Sequence, residues 1–170
     1  RIFDQIIVST DSQHIADISK KNGANIPFLR SKSLSNDTAS TSSVIVDVIK
    51  KLKIKNNIKI FCIYPTAILL IKNDFIKALN VLKKNNKQFI FCATQCSSNY
   101  ERSFMLSKES RITKIMNSKL INKNSQASRE LFEDLGFFYL GESSTWLNYK
   151  NPIKKNSSII KIPKIRSVDI

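Results

Sequence analysis

FCIYPTAILL, residues Phe61 to Leu70, is the stretch on which the reading of this chain turns. With Ile60 before it, the first half is a short apolar, β-branched and aromatic run without polar alternation, the pattern of a strand buried on both faces. A strand feeding an antiparallel neighbour would be expected to turn on Gly or Asn. This one ends in Tyr64, Pro65 and Thr66, a polar elbow stiffened by proline. In an open α/β sheet, ligands bind outside the carboxyl ends of the strands, where the following loops converge. The elbow is therefore read as part of a binding edge.

The flanking segments repeat the same unit. Gln5 to Ser9 is a short β-branched run, and the side-chain oxygens of Thr10, Asp11 and Ser12 can take the free amides of a helix start. Ala16, Ile15 and Ile18 then give a helical face, and Gly23 is placed to end it. Asn25 to Leu29 predicts a second extended segment, broken by Pro27, before a loop rich in Ser, Asn and Asp. From Thr38 the pattern is helical, with Val44, Val48, Ile49 and Leu52 on one stripe. After the elbow, Asn73 can cap a helix whose apolar face is Phe75, Ile76, Leu79 and Leu82, and Gln88 to Thr94 follows as a strand. Strands alternating with helices at this spacing predict right-handed crossovers and a mostly parallel sheet covered on both faces. Thr10 with Asp11, Tyr64 with Thr66, and Thr94 with Gln95 are then delivered to one sheet edge. Beyond Cys96 the alternation weakens. Phe104, Leu106, Ile112 and Ile115 predict an antiparallel excursion, Phe137 to Leu140 a returning strand, Glu142 to Leu147 a short helix, and Ile159 to Ile162 a last strand.

The totals bound the class. The chain has 170 residues, 42% of them apolar, enough for one domain with a substantial core, taken as a single unit over 1–170. Arg1 to Thr10 already lead into a core strand with no initiator Met, so the start of the protein is expected to be missing. No apolar run approaches the roughly 20 residues of a membrane helix, and no membrane partner is expected. The net charge of +15 comes mostly from scattered lysines, with six arginines. Nucleic-acid grooves use Arg forks or aromatics set among the charges, so no nucleic-acid partner is expected, whereas a basic surface favours anionic small substrates. Three cysteines, Cys62, Cys92 and Cys96, make a disulfide framework unlikely and fit a reducing cytoplasm. Cys92 and Cys96 are the one close pair, and with only Cys62 and His14 besides, no second close pair is present to complete a zinc site.

Four segments resemble one family. Phe3 to Thr41 is similar to the second strand, helix and Arg-containing "LS-D-TA-T" loop of the cytidylyltransferases that activate acidic nine-carbon sugars. Tyr64 to Ala67, YPTA, is similar to the pseudaminic acid branch, many sialic acid enzymes having Gln in place of Tyr64. Asn122 to Gly141 aligns without gaps to that branch's Asn-x-Arg-Ser-Gln-Asp to Gly-Gln-Phe-Tyr-Trp-Gly segment, and RSVDI resembles the start of its closing Asp-Ile-Asp motif.

The resemblance implies a Rossmann-like, three-layer α/β nucleotide-diphospho-sugar transferase fold, truncated at both ends, and transfer of CMP from CTP to a nonulosonic acid. It implies Mg²⁺, with Asp169 as a catalytic metal ligand; Arg30, Ala39 and Thr41 at the nucleotide; and Tyr64, Thr66, Ser125, Gln126 and Tyr139 at the sugar. It also implies a homodimer formed through the excursion from Ser97 to Asn122. Asn124, Ala127, Glu133 and Phe137 stand where the branch usually has Arg, Asp, His and Gln, so an anionic sugar loses one charge-assisted partner; Lys123 or Arg129 could replace it. No Gly-rich phosphate loop precedes Phe3, and the chain has three Gly in all, so these residues alone are expected to hold CTP poorly. Two alternatives stay open from the residues: a sialic or octulosonic acid cytidylyltransferase, and a noncatalytic basic module, for RNA or a protein, on a decayed enzyme scaffold. Without the resemblance, Arg30, Ser125 and Gln126 are ordinary loop residues and Phe138 is core.

Overall fold

The computed structural model describes residues 2–85, 88–97, 100, 103–117 and 130–168. In chain order the elements are α1 (Gln13–Lys21), α2 (Thr41–Lys51), β1 (Lys59–Ile63), α3 (Lys72–Asn85), β2 (Phe89–Gln95), β3 (Phe104–Leu106), β4 (Ile112–Ile115), β5 (Phe132–Glu142), α4 (Ser143–Asn148) and β6 (Ser158–Lys161). The main sheet has the order β1-β5-β2-β6, and β3 and β4 form a separate hairpin. β5 is antiparallel to both β1 and β2, while β6 is parallel to β2. Three of the four strands thus share one direction, and the returning strand is inserted, reversed, between the two halves of the β1–α3–β2 crossover. The α/β class, the antiparallel excursion at β3–β4 and the last strand all agree with the sequence reading.

Alternation along the strands sorts the core onto two faces. Ile90, Cys92, Phe138, Leu140 and Ile160 pack with Ala78 and Leu82 of α3 on one side. Phe89, Phe91, Tyr139 and Ile159 pack with Ile49 of α2 and Trp146 of α4 on the other. The result is three layers. The α3 side carries a ring cluster in which Phe61 and Phe75 both meet Phe3 and Phe138, with centroids 5.1–5.6 Å apart. Gly141 is needed where β5 passes Phe89, because a Cβ there would stand 2.7 Å from that ring and 3.3 Å from Trp146 Nε1.

One irregularity in β5 shapes the site. Phe91 pairs with Tyr139 but Ala93 pairs with Asp134, so two steps along β2 match five along β5. The odd excess inverts the alternation, and Asp134 can therefore reach Tyr139, which simple period two would place on the opposite face. Gly136, at φ +60°, takes the left-handed position inside this bulge.

Several local expectations are corrected. Gln5 to Ser9 does not become a strand of the main sheet; Ile7 makes one parallel bridge to Asn25, and Arg30 N–H donates to Thr10 O at 2.8 Å. Pro27 lies between these contacts and has no N–H to continue the ladder. Thr10 and Thr94 are buried, at 5% and 1% exposure, so neither side chain is presented at a sheet edge. On α1 only Ala16 is buried, Ile15 and Ile18 being about half exposed. Ser12, not Asp11, caps that helix, accepting from Ile15 N–H at 3.3 Å. Nor does Asn73 cap α3: Asp74 Oδ2 accepts the Ile71 N–H at 3.0 Å, placing a carboxylate in the first turn, where the helix dipole favours it.

Candidate active site

Tyr64 leaves β1 with its N–H donating to Phe137 O at 3.0 Å, so the elbow is pinned to the bulged part of β5. Pro65 and the turn bonds Ala67 N–H to Tyr64 O and Ile68 N–H to Thr66 O then fold the chain towards α3. The phenol of Tyr64 instead reaches α2, where it shares a hydrogen bond with Thr41 Oγ1. Thr41 is available there because Ser40 caps the helix, its Oγ accepting the Ser43 N–H at 3.2 Å. Tyr139 stands beside Tyr64 in an edge-to-face contact, centroids 6.1 Å apart, and its hydroxyl donates to Asp134 Oδ2.

These groups line an open cavity of about 310 Å³ walled by Ser40, Thr41, Ser42, Tyr64 and Tyr139 on one side and by residues 150–153 on the other. The volume lies at the small end of the range for small-molecule sites. Its chemistry is mainly that of hydroxyls and aromatic edges, with Lys150 the one charged residue in the lining among the described residues. Burial raises the pKa of Tyr64, with the Thr41 hydrogen bond opposing it, and burial followed by the Asp134 hydrogen bond raises that of Tyr139. Both phenols are neutral donors at physiological pH. The nearby Cys62 thiol is pushed up to about 11 by burial, so it remains protonated and is no nucleophile.

The fold thus brings Thr41, Tyr64 and Tyr139 together, although Thr41 and Tyr64 are separated by 23 residues and Tyr139 lies in a third segment. The other expected residues are placed differently. Ala39 immediately precedes the cap of α2 and does not line the cavity; Thr66 is exposed on the elbow. Arg30 belongs to a separate cluster, with Nε donating to Ser35 Oγ at 3.0 Å, Nη1 to Ser9 O at 3.5 Å, and Nη2 3.5 Å from Asp11 Oδ1. Asp11 therefore orients Arg30. Ser125, Gln126 and Asp169 lie outside the described residues, as do Lys123, Asn124, Ala127 and Arg129. The chain approaching Asp169 is tied to the elbow's exit: Arg166 donates to Leu69 O at 3.1 Å and grips Asp74 with two hydrogen bonds of 2.7 and 3.1 Å.

Sequence reasoning missed Asp134 and residues 150–153. The signal for Asp134 was weak, since only the bulge makes it a partner of Tyr139. Asn151-Pro152 was legible as a turn but not as a cavity wall. Among the described residues no group of three or more His, Cys, Asp and Glu side chains is gathered as a metal site, so no step of the chemistry is derived through a metal. Among them, too, no helix is long and apolar enough to cross a membrane.

A hydroxyl-lined cavity beside a strand's carboxyl end is where an open α/β sheet binds its ligand, and the sequence match assigns the nucleotidyltransferase class. The sequence profile described as cytidylyltransferase matches residues 1–154, and the chain belongs to that family. A pseudaminic acid cytidylyltransferase of Campylobacter jejuni subsp. jejuni is 33% identical over 171 residues, covering 99% of this chain and 73% of its own. A Helicobacter pylori protein named as a pseudaminic acid cytidylyltransferase and UDP-2,4-diacetamido-2,4,6-trideoxy-beta-L-altropyranose hydrolase is 26% identical over 100% of this chain and 32% of its own. A CMP:2-keto-3-deoxy-manno-octonic acid synthetase solved in complex with CTP superposes with a TM-score of 0.63 over 94% of this chain and 72% of its own, at 13% identity. That last likeness shows the fold alone, and the fold is the expected one.

Proposed function

We propose that this cytidylyltransferase transfers CMP from CTP to a nonulosonic acid, pseudaminic acid by preference. In the reaction the sugar's anomeric hydroxyl forms a bond to the α-phosphorus, the α–β phosphoanhydride bond breaks, the hydroxyl proton is lost and pyrophosphate leaves. The observation that carries the reading is the meeting of Thr41, Tyr64 and Tyr139 around one cavity, in a chain 33% identical over nearly all its length to enzymes named for that sugar. Such chemistry needs positioning and charge neutralisation more than a protein nucleophile. The neutral phenols of Tyr64 and Tyr139 orient sugar hydroxyls and offer ring faces to its C–H surface; Thr41 fixes the Tyr64 rotor. Thr66, Ser125 and Gln126 complete the sugar's surroundings, and Arg30, Ala39 and Thr41 serve the nucleotide, Thr41 from the helix start that also holds Tyr64.

Mg²⁺ is the metal proposed, held by Asp169, since hard carboxylate oxygens suit it; bound, it would neutralise phosphate charge and draw the reacting oxygens together. A homodimer is proposed through the β3–β4 hairpin, where Phe104, Met105, Leu106 and Ile112 are 49–57% exposed, more apolar surface than a two-stranded hairpin usually leaves bare. A cytoplasmic location fits three unpaired cysteines.

The test uses the full-length gene product with CTP and Mg²⁺. Pyrophosphate release is expected only when a nonulosonic acid is added, fastest with pseudaminic acid. Release with 2-keto-3-deoxyoctonate instead would reassign the sugar, and none with any such acid would remove the transferase reading.

A further inference from the structure

We propose that Lys150, which neither the family resemblance nor the comparisons assign, is the group that recognises the acid function of the sugar. This rests on the proposed transferase reading and adds a residue to its site. Lys150 lies two residues beyond the end of α4 and opens the loop of residues 150–153 that lines the cavity together with Thr41, Tyr64 and Tyr139. Among the described residues it is the one charged residue lining that cavity. Its neighbours differ: Lys154 lies 3.1 Å over the Tyr149 ring, Lys161 is paired with Glu130 at 3.7 Å, and Lys164 with Glu133 at 2.9 Å. Among the described residues Lys150 has no acidic partner, which leaves its ammonium free for an incoming anion.

The wall that carries it is held in place. Tyr149, the preceding residue, accepts a 2.6 Å hydrogen bond from Gln88 Nε2, and Trp146 of α4 is 1% exposed and donates to Ile60 O at 3.4 Å. Ser157 Oγ closes the loop onto Pro152 O at 2.6 Å. Lys150 thus lines a cavity whose other polar groups are hydroxyls and the Asn151 amide, and whose Tyr64, Tyr139, Pro152 and Ile153 offer apolar surface to a ring. That combination fits a sugar acid: ring against the aromatic and aliphatic walls, hydroxyls to the phenols and serines, carboxylate to the ammonium. A triphosphate, with several charges, would meet one cation among the described residues of the lining. The source is thus the sugar's carboxylate and not a nucleotide phosphate.

The test measures steady-state kinetics of the full-length protein and of K150A and K150R, together with calorimetric binding of the sugar acid and of its neutral carboxamide. Loss of a charge-assisted hydrogen bond predicts that K150A raises the KM for the sugar acid roughly 10- to 100-fold, with the KM for CTP unchanged. K150R should recover most of it, and the carboxamide should bind wild type and K150A equally. Because Lys150 is exposed, thermal unfolding should not change. A wild type that turns over normally beside a K150A with an unaltered sugar KM overturns this inference and leaves the function standing. A rise in the KM for CTP alone overturns it in favour of a phosphate contact. If the wild type neither binds nor turns over any nonulosonic acid, the function fails and the inference with it.

Discussion

Replacing Asp74 by Ala is expected to destabilise the protein by about 3–5 kcal/mol, the range for breaking a buried ion pair by removing one partner. Asp74 is 2% exposed and receives two hydrogen bonds from Arg166 and one from the Ile71 N–H. Without the carboxylate, the Arg166 guanidinium stays partly buried with only Leu69 O to satisfy it, and the elbow's exit, the start of α3 and the turn at Lys164–Arg166 lose their common tie. For a chain of this size the midpoint of thermal unfolding should fall by roughly 6–20 °C. Loss of less than about 1 kcal/mol in denaturant unfolding would show that the pair is replaceable by water.

The same pair has a pH signature. Burial by itself would raise the Asp74 pKa, but hydrogen bonds from Arg166 and the Ile71 N–H, with the charge of Arg166, hold it below its ordinary 3.8. A carboxyl depressed on folding stabilises the native state fully above its unfolded pKa and loses that contribution as the pH falls through the lower folded value. Wild type should therefore lose stability more steeply than D74A below about pH 4. Parallel acid-unfolding curves would contradict this assignment.

Phe138→Ala should be nearly as damaging, about 3–5 kcal/mol for emptying a buried aromatic site. Phe138 is 0% exposed, meets Phe61 edge-on at 5.1 Å and stacks on Phe75 at 5.6 Å. Its neighbour Tyr139 points to the other face of β5, towards the cavity, and Tyr139→Phe removes only a hydroxyl and its bond to Asp134. That variant should change stability by about 1 kcal/mol while binding the sugar acid at least several-fold more weakly. Urea denaturation of both, beside calorimetry of the second, separates the roles. Equal destabilisation with unchanged binding would make Tyr139 a core residue like Phe138.

The contrast shows where the sequence was legible. Ile60 to Ile63 and Gln88 to Thr94 announce strands because apolar runs end at turn-forming residues, and the oxygens of Thr10 to Ser12 announce a helix start through local hydrogen bonding. Those signals are carried by neighbours in the chain. The insertion of β5 between β1 and β2 is not, because its residues 137–140 are apolar on both faces and its partners lie 37 to 83 residues away. Asp74 and Arg166, 92 residues apart, carry no mark of each other. Asn73 looked the better cap because short polar side chains favour that role, and long-range pairing with Arg166 decided for Asp74. Tyr64 was recognisable as an unusual strand end, but its partner Thr41 became visible only once α2 was packed across the sheet. Lys150 was one of many lysines until the cavity singled it out.

The most direct test of the central claim, that the cavity between α2 and residues 150–153 is the sugar site, is a crystal structure of the full-length protein with its CMP-sugar product. The sugar ring is expected against Tyr64 and Tyr139 on the cavity side, with its carboxylate within hydrogen-bonding distance of Lys150 Nζ. Product bound with its sugar outside that cavity, and Tyr64 and Tyr139 facing solvent, would contradict the account.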